Sequence, residues 1–223
     1  MKNHWRKINP NTLSLFLGVM ILVGCASGNI HSVSLPENEE ASIERVAVIP
    51  FQIGKTPEKQ FAFKSSSVAP GAQEVITRLF WQRLNEKGDY RLASHLNVKK
   101  VLGEVENGTG TITSEKIKIL GERLRVEGVV IGLIDVYEER KGTNYGVESP
   151  AAVGFVVQFY RVKDGQLLWK GSYYERQKSL MEDIRTFSLF LKRGGKWVTA
   201  SDLADFGIRE LIKRFPILKM KES

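Results

Sequence analysis

Cysteine is almost absent from this 223-residue chain, which carries a single thiol, at Cys25. Disulfides need pairs of cysteines, so no disulfide within the chain can hold its fold together. The core must therefore be stabilised by apolar packing. The composition supplies the material for such a core, because 42% of the residues are hydrophobic and they include 11 Phe and 4 Trp.

The apolar run in residues 13–24 is too short for a membrane-spanning helix, which takes roughly 20 apolar residues. It follows a basic start that contains Lys2, Arg6 and Lys7 and no acidic residue. A basic start and a short apolar run are typical of a secretory signal peptide. We therefore expect residues 1–24 to be a signal peptide that is removed from the mature protein.

The end of this segment, Leu22-Val23-Gly24-Cys25, resembles the lipobox of bacterial lipoproteins. The resemblance implies cleavage between Gly24 and Cys25, a diacylglyceryl group on the sulfur, and an acyl chain such as palmitate on the new amino group. Two or more chains give a lasting anchor, since each buried CH₂ contributes ~0.8 kcal/mol. Ala26 stands where an inner-membrane retention Asp would lie, which favours the outer membrane. The alternative is an ordinary secretory signal with a chance cysteine.

Residues 25–43 are polar and lack periodicity, so we expect a lipidated flexible tether that lets the domain stand off the membrane. A periplasmic domain is predicted over residues 44–216 and a C-terminal tail over residues 217–223. The net charge of +8 falls to +5 when the three basic residues of the signal peptide are removed. This mild excess is compatible with anionic lipid heads. No nucleic-acid partner is expected for an exported protein.

Apolar residues between positions 68 and 84 recur at three- and four-residue spacing, with Pro70 near the start and Gly88 after the end. This pattern and its punctuation predict an amphipathic helix. The apolar run in residues 128–137 is continuous rather than alternating, which predicts a central strand covered on both faces.

Asp164-Gly165 predicts a tight turn between two long strands. Thr199 and Asp202 predict a capped last helix that buries both Phe206 and Phe215. Together these segments predict a single domain of α/β (α+β) class. We expect a mixed sheet of about five strands, flanked by helices, with a C-terminal helix.

The order of these elements resembles the periplasmic domain of one group of envelope lipoproteins. The first strand reads Val-Ala-Val-Ile-Pro-Phe (46–51) and the hairpin continues Asp-Gly-Gln-Leu-Leu-Trp-Lys-Gly (164–171). The group comprises curli-secretion-pore lipoproteins, penicillin-binding-protein activator lipoproteins and the amino-terminal domain of the Tol-Pal propeller protein. The resemblance covers residues 46–177. It implies a non-enzymatic protein that works through protein contacts.

Candidate catalytic and metal-binding residues are few. A structural zinc site needs about four nitrogen or sulfur ligands, and His95 is the only histidine in the predicted domain. Asp135, Glu138 and Glu139 form an acidic group that could do acid–base chemistry. Strand ends are normally polar, however, so we interpret this group as an ordinary strand end. We expect no metal, no cofactor beyond the lipid, and no catalytic residues.

Two segments are predicted to contact a partner. Residues 141–150 are long for a strand connection and place Tyr145 among glycines, and such loops often carry binding. Residues 187–197 combine Trp197 with Arg193 and Lys196, residue types that are typical of interfaces. The alternatives are a disordered strand connection for the first segment, and buried rings with solvated charges for the second.

These observations predict a non-enzymatic outer-membrane lipoprotein that faces the periplasm. It would act as a scaffold or assembly factor by contacting an envelope protein or a second copy of itself. The first alternative is a subunit of an envelope secretion or export channel. The second is an enzyme that acts on the cell wall.

Overall fold

The computed structural model of the chain describes residues 29–34, 43–54, 67–105, 113–142, 147–177 and 198–217. These ranges contain nine strands and four helices. In chain order they are β1 (Asn29–Ser34), β2 (Arg45–Val48), β3 (Gln52–Ile53), α1 (Ala72–Lys87), β4 (Arg91–Leu92), α2 (His95–Val105), α3 (Ser114–Leu124), β5 (Gly128–Glu138), β6 (Lys141–Gly142), β7 (Val147–Ser149), β8 (Ala152–Arg161), β9 (Leu167–Arg176) and α4 (Ala200–Arg214).

Seven of the strands form one mixed sheet in the order β1-β9-β8-β5-β2-β4, with β3 also beside β5. Strand β2 pairs in parallel with β4 and β5, and β3 pairs in parallel with β5. The pairs β5–β8, β8–β9 and β1–β9 are antiparallel. Two short strands, β6 and β7, pair separately. The predicted mixed sheet is confirmed. It is wider than expected because β1 was not predicted and because Pro50 separates β2 from β3.

Helices lie on both faces of the sheet. On one face, α1 and α4 pack on a core whose seven largest fully buried side chains are all aromatic: Phe51, Phe80, Phe155, Phe159, Trp169, Tyr173 and Phe215. On the other face, α2 and α3 pack against β2 and β5. Val129 and Val130 point to opposite faces and are both fully buried, as the continuous apolar run of β5 predicted. The result is a three-layer α/β domain.

The end of α1 and the start of α4 follow the predicted capping chemistry. Gly88 ends α1 with a φ of 78°, in the left-handed region that glycine enters at little cost. At the start of α4, the Asp202 amide donates to Thr199 Oγ1 (3.1 Å) and the Thr199 amide donates to Asp202 Oδ2 (3.0 Å). This reciprocal pair is a capping box. None of the helices in the described ranges is long and apolar enough to cross a membrane.

The prediction that α4 buries Phe206 is wrong, because 43% of the surface of Phe206 is exposed. The neighbouring Gly207 takes the buried position instead. A Cβ at Gly207 would lie 2.3 Å from Cδ1 of Tyr173, so the helix can approach the sheet there only without a side chain. Phe215, by contrast, is buried as predicted.

Strand β1 departs from the flexible tether predicted for residues 25–43. It pairs with β9 along its full length, from Asn29 opposite Tyr174 to Ser34 opposite Trp169. Ile30 packs against the main core, whereas Val33 is exposed. A six-residue edge strand with one inward apolar side chain has no clear period-two pattern, which is why its sequence predicted a tether.

Candidate functional site

The residues predicted from the sequence to carry function lie outside the described ranges. They are Gly24 and Cys25 at the processing site, and Tyr145, Arg193, Lys196 and Trp197 in the predicted contact segments. The described residues that flank these segments do have defined positions. They show where each segment joins the domain.

One end of the sheet gathers several of these junctions. Strand β1 begins at Asn29, opposite Tyr174 near the end of β9. At the same end, Glu138 closes β5 opposite Ala152, the first residue of β8, and Ala152 lies opposite Arg176 at the end of β9. We call this the anchor end, formed by the starts of β1 and β8 and the ends of β5 and β9.

Both predicted contact segments join the domain at the anchor end. Gly142 pairs with Val147, and these two residues, which flank the segment around Tyr145, lie in the chain between the end of β5 and the start of β8. The segment that contains Trp197 follows Gln177, whose amide donates to the Ala151 carbonyl (2.9 Å) beside the start of β8. It rejoins the described chain just before α4. The link to Cys25 joins at the same end, through β1.

The carboxylates of the anchor end hold its elements together. Glu138 Oε2 accepts a hydrogen bond from Arg176 Nη2 (2.9 Å), and its Oε1 accepts from Ser67 Oγ (3.3 Å). Glu139 Oε2 accepts from the Ala200 amide (3.4 Å) in the first turn of α4. An anion is favoured there by the helix dipole. Both glutamates therefore join β5 to its neighbours, which accounts for their position without acid–base chemistry.

Tyr137 connects the end of β5 to α4. Burial raises the pKa of its hydroxyl to about 12, and the Glu139 carboxylate adds to the shift through its charge and a hydrogen bond. A hydrogen bond with Ser201, in the first turn of α4, acts in the opposite direction. The hydroxyl is protonated at neutral pH, so it acts as a hydrogen-bond donor and not as a base.

Tyr173 makes a similar link on β9. Its hydroxyl donates to Glu175 Oε2 (2.5 Å), while its ring lies 5.6 Å from the ring of Phe155 and 6.4 Å from that of Phe206. Burial raises the pKa of Tyr173 well above its usual range, and the nearby Glu175 raises it further. This side chain also stays protonated at neutral pH. The sequence offered a signal for the pair, since residues two apart on a strand share a face.

Replacing Tyr137 with phenylalanine is expected to remove one source of stability loss at high pH. Folding raises the pKa of the Tyr137 hydroxyl from 10 to about 12. The contribution of the protonated hydroxyl to the free energy of unfolding is therefore complete below about pH 10 and is lost as the pH rises toward 12. The stability advantage of wild type over Tyr137→Phe should shrink by roughly 2 kcal/mol between about pH 9 and pH 11.5. Urea unfolding of both proteins across this pH range measures the change. A stability difference that stays constant with pH would contradict the raised pKa of Tyr137.

The described residues contain no group of three or more His, Cys, Asp or Glu side chains placed to hold a metal ion. What the anchor end does offer is a set of hydrogen-bonded tyrosines, glutamates and one arginine. Glu138 and Glu139 tie the end of β5 to the end of β9 and to the start of α4, where the two predicted contact segments join the domain. The arrangement suits a rigid contact surface.

No family model and no curated protein matches the chain. Several solved structures resemble it. The PelC dodecamer from Paraburkholderia phytofirmans is 14% identical, with a TM-score of 0.47, over 87% of this chain and 99% of that one. Lipoprotein GNA1162 from Neisseria meningitidis is 15% identical, with a TM-score of 0.42, over 67% of this chain and 92% of that one.

The LpoB C-terminal domain from Salmonella enterica is 15% identical, with a TM-score of 0.38, over 60% of this chain and 83% of that one. Likenesses of this size assign no function to the chain. The α/β fold implied by the sequence resemblance is present in the structure. Membership of a particular lipoprotein group stays a prediction.

Proposed function

We propose that this protein is a non-enzymatic lipoprotein, anchored in the outer membrane through Cys25 and facing the periplasm. It acts as a scaffold or assembly factor by presenting the anchor end of its domain to an envelope protein or to a second copy. One observation carries the proposal: the link to Cys25 and both predicted contact segments join the domain at the same end of the sheet.

The contacts within the anchor end support a binding role. Glu138, Glu139 and Glu175 accept hydrogen bonds from groups of the domain itself. The shifted pKa values belong to buried tyrosines that remain donors at neutral pH. A scaffold needs such a fixed platform, on which Tyr145, Arg193, Lys196 and Trp197 would supply the contacts. It needs no metal or cofactor beyond the lipid.

A photo-crosslinking residue at position 145, introduced in living cells, tests the proposal. We expect a discrete adduct with one envelope protein, or an adduct of twice the mass of the chain. The matched control carries the same probe at Lys163, an exposed position in the β8–β9 turn at the opposite end of the sheet, and should give no such adduct.

Three outcomes of this experiment differ in meaning. A ladder of self-adducts from position 145 would favour the alternative of a channel subunit. The same adducts from both positions would contradict a contact site at the anchor end. No adduct from position 145, combined with hydrolysis of wall material by the purified protein, would overturn the non-enzymatic assignment.

A further inference from the structure

The link between the predicted lipid and the folded domain is three residues long. Ala26, Ser27 and Gly28 separate Cys25 from Asn29, the first residue of β1. An extended chain advances at most about 3.6 Å per residue, so the Cα atoms of Cys25 and Asn29 lie within about 14 Å of each other. The ten residues of β8 span roughly twice that distance, at about 3.3 Å per residue.

We infer that the anchor end of the domain rests against the lipid surface that holds Cys25, and that the β8–β9 turn points away from it. The inference depends on the proposed lipidation and goes beyond it, because it fixes which part of the domain meets the membrane. A free tether over residues 25–43 would have left the domain without a preferred orientation.

The pairing of β1 carries the inference. All six of its residues have partners on β9, and Ile30 packs against the main core, so the start of the strand is fixed to the domain. The first residue of β1 lies at the anchor end, and its last residue, Ser34, lies about 17 Å away along the strand. A short link therefore brings one end of the sheet, and not the other, to the membrane.

Charge is balanced where β5 and β9 end. Where β5 and β9 end, residues 138–141 and 175–176 contain three acidic and three basic side chains. These two strand ends are neither strongly drawn to nor strongly repelled by anionic headgroups. The orientation should therefore depend on the length of the link and respond little to salt, because screening acts on charge interactions alone.

The single cysteine makes a direct test practicable. Because lipid occupies Cys25, a cysteine introduced elsewhere is the one reactive thiol in the chain. Lys141→Cys places a fluorophore at an exposed position of the anchor end, and Lys163→Cys places it at an exposed position of the opposite end. Both mature lipidated proteins are reconstituted in vesicles whose headgroups carry nitroxide, a short-range quencher of fluorescence.

We expect several-fold stronger quenching at position 141 than at position 163, with little change on raising the salt concentration. Inserting a flexible Gly/Ser segment of about 20 residues after Gly28 extends the link by a root-mean-square length of about 25 Å. That variant should bring the two quenching values close together. Equal quenching of the two labels in the native-length protein would overturn the inference.

Other outcomes separate this inference from the proposed function. Weak quenching of both labels on protein that is lipidated and vesicle-bound would overturn the orientation alone. Two labels per chain, or failure of the purified protein to bind vesicles, would show that Cys25 carries no lipid anchor. That result would overturn the proposed function and the orientation with it.

Discussion

Replacing Phe215 with alanine is expected to destabilise the domain by about 3–5 kcal/mol. Phe215 is 2% exposed, and its ring lies 4.9 Å from the ring of Phe159 and 5.1 Å from that of Trp169. The centre of its ring also lies 5.9 Å from that of Tyr90 and 6.3 Å from that of Phe80. Its truncation removes contacts with residues of α1, β8 and β9 and with the segment before β4, and these rigid rings cannot close the cavity.

Phe206→Ala is the matched control, because it makes the same chemical change at an exposed position in α4. We expect it to cost less than about 1 kcal/mol. For a domain of this size, Phe215→Ala should lower the melting temperature by about 10 °C, and Phe206→Ala by a few degrees at most. Thermal unfolding measures both shifts. Equal shifts for the two variants would contradict the assignment of Phe215 to the core.

Replacing Cys25 with serine is expected to abolish lipid attachment and correct processing. A serine hydroxyl is a far weaker nucleophile than a thiolate at neutral pH, so it would not take up the diacylglyceryl group. The precursor that retains residues 1–24 should accumulate in place of the mature protein. Gel mobility and metabolic labelling with a fatty acid measure both effects, and Ser27→Ala is the control that should leave both unchanged.

A second variant isolates the anchor from the signal peptide. It carries the Cys25→Ser substitution and has an ordinary secretory signal in place of residues 1–24. This variant should be released as a soluble periplasmic protein, because the membrane affinity of the mature protein comes from the acyl chains. Mature wild-type protein should remain in the membrane fraction after a salt wash. A Cys25→Ser protein that was still fully processed and membrane-bound would contradict the predicted role of Cys25.

Local sequence signals predicted most of the fold. Three of these signals depend only on residues that are close together in the sequence, and each appears in the structure. They are Gly88 after an amphipathic helical pattern, the continuous apolar run of β5, and the Thr199–Asp202 capping box. The failures involve distant contacts. Strand β1 is held by its pairing with β9, and Gly207 rather than Phe206 is buried because Tyr173 occupies the space beside it.

For the candidate site, too, the sequence suggested the local features and not the distant contacts. The sequence suggested which residue types could contact a partner, such as Tyr145 and Trp197. It could not indicate that their segments join the domain at one end, because that depends on the register of β5, β8 and β9. The two-residue spacing places Tyr173 and Glu175 on one face of a strand, but the strength of the links from Tyr137 and Tyr173 to glutamates depends on burial, which a linear pattern does not specify. A partner at the anchor end would have to reach a surface close to the membrane.

The most direct test of the central claim is the mass of the N-terminal peptide of the mature protein, isolated from membranes. Lipidation at Cys25 predicts a peptide that begins at Cys25 and carries a diacylglyceryl group on the sulfur and an acyl chain on the amino group. A peptide that begins elsewhere, or that contains an unmodified Cys25, would contradict it.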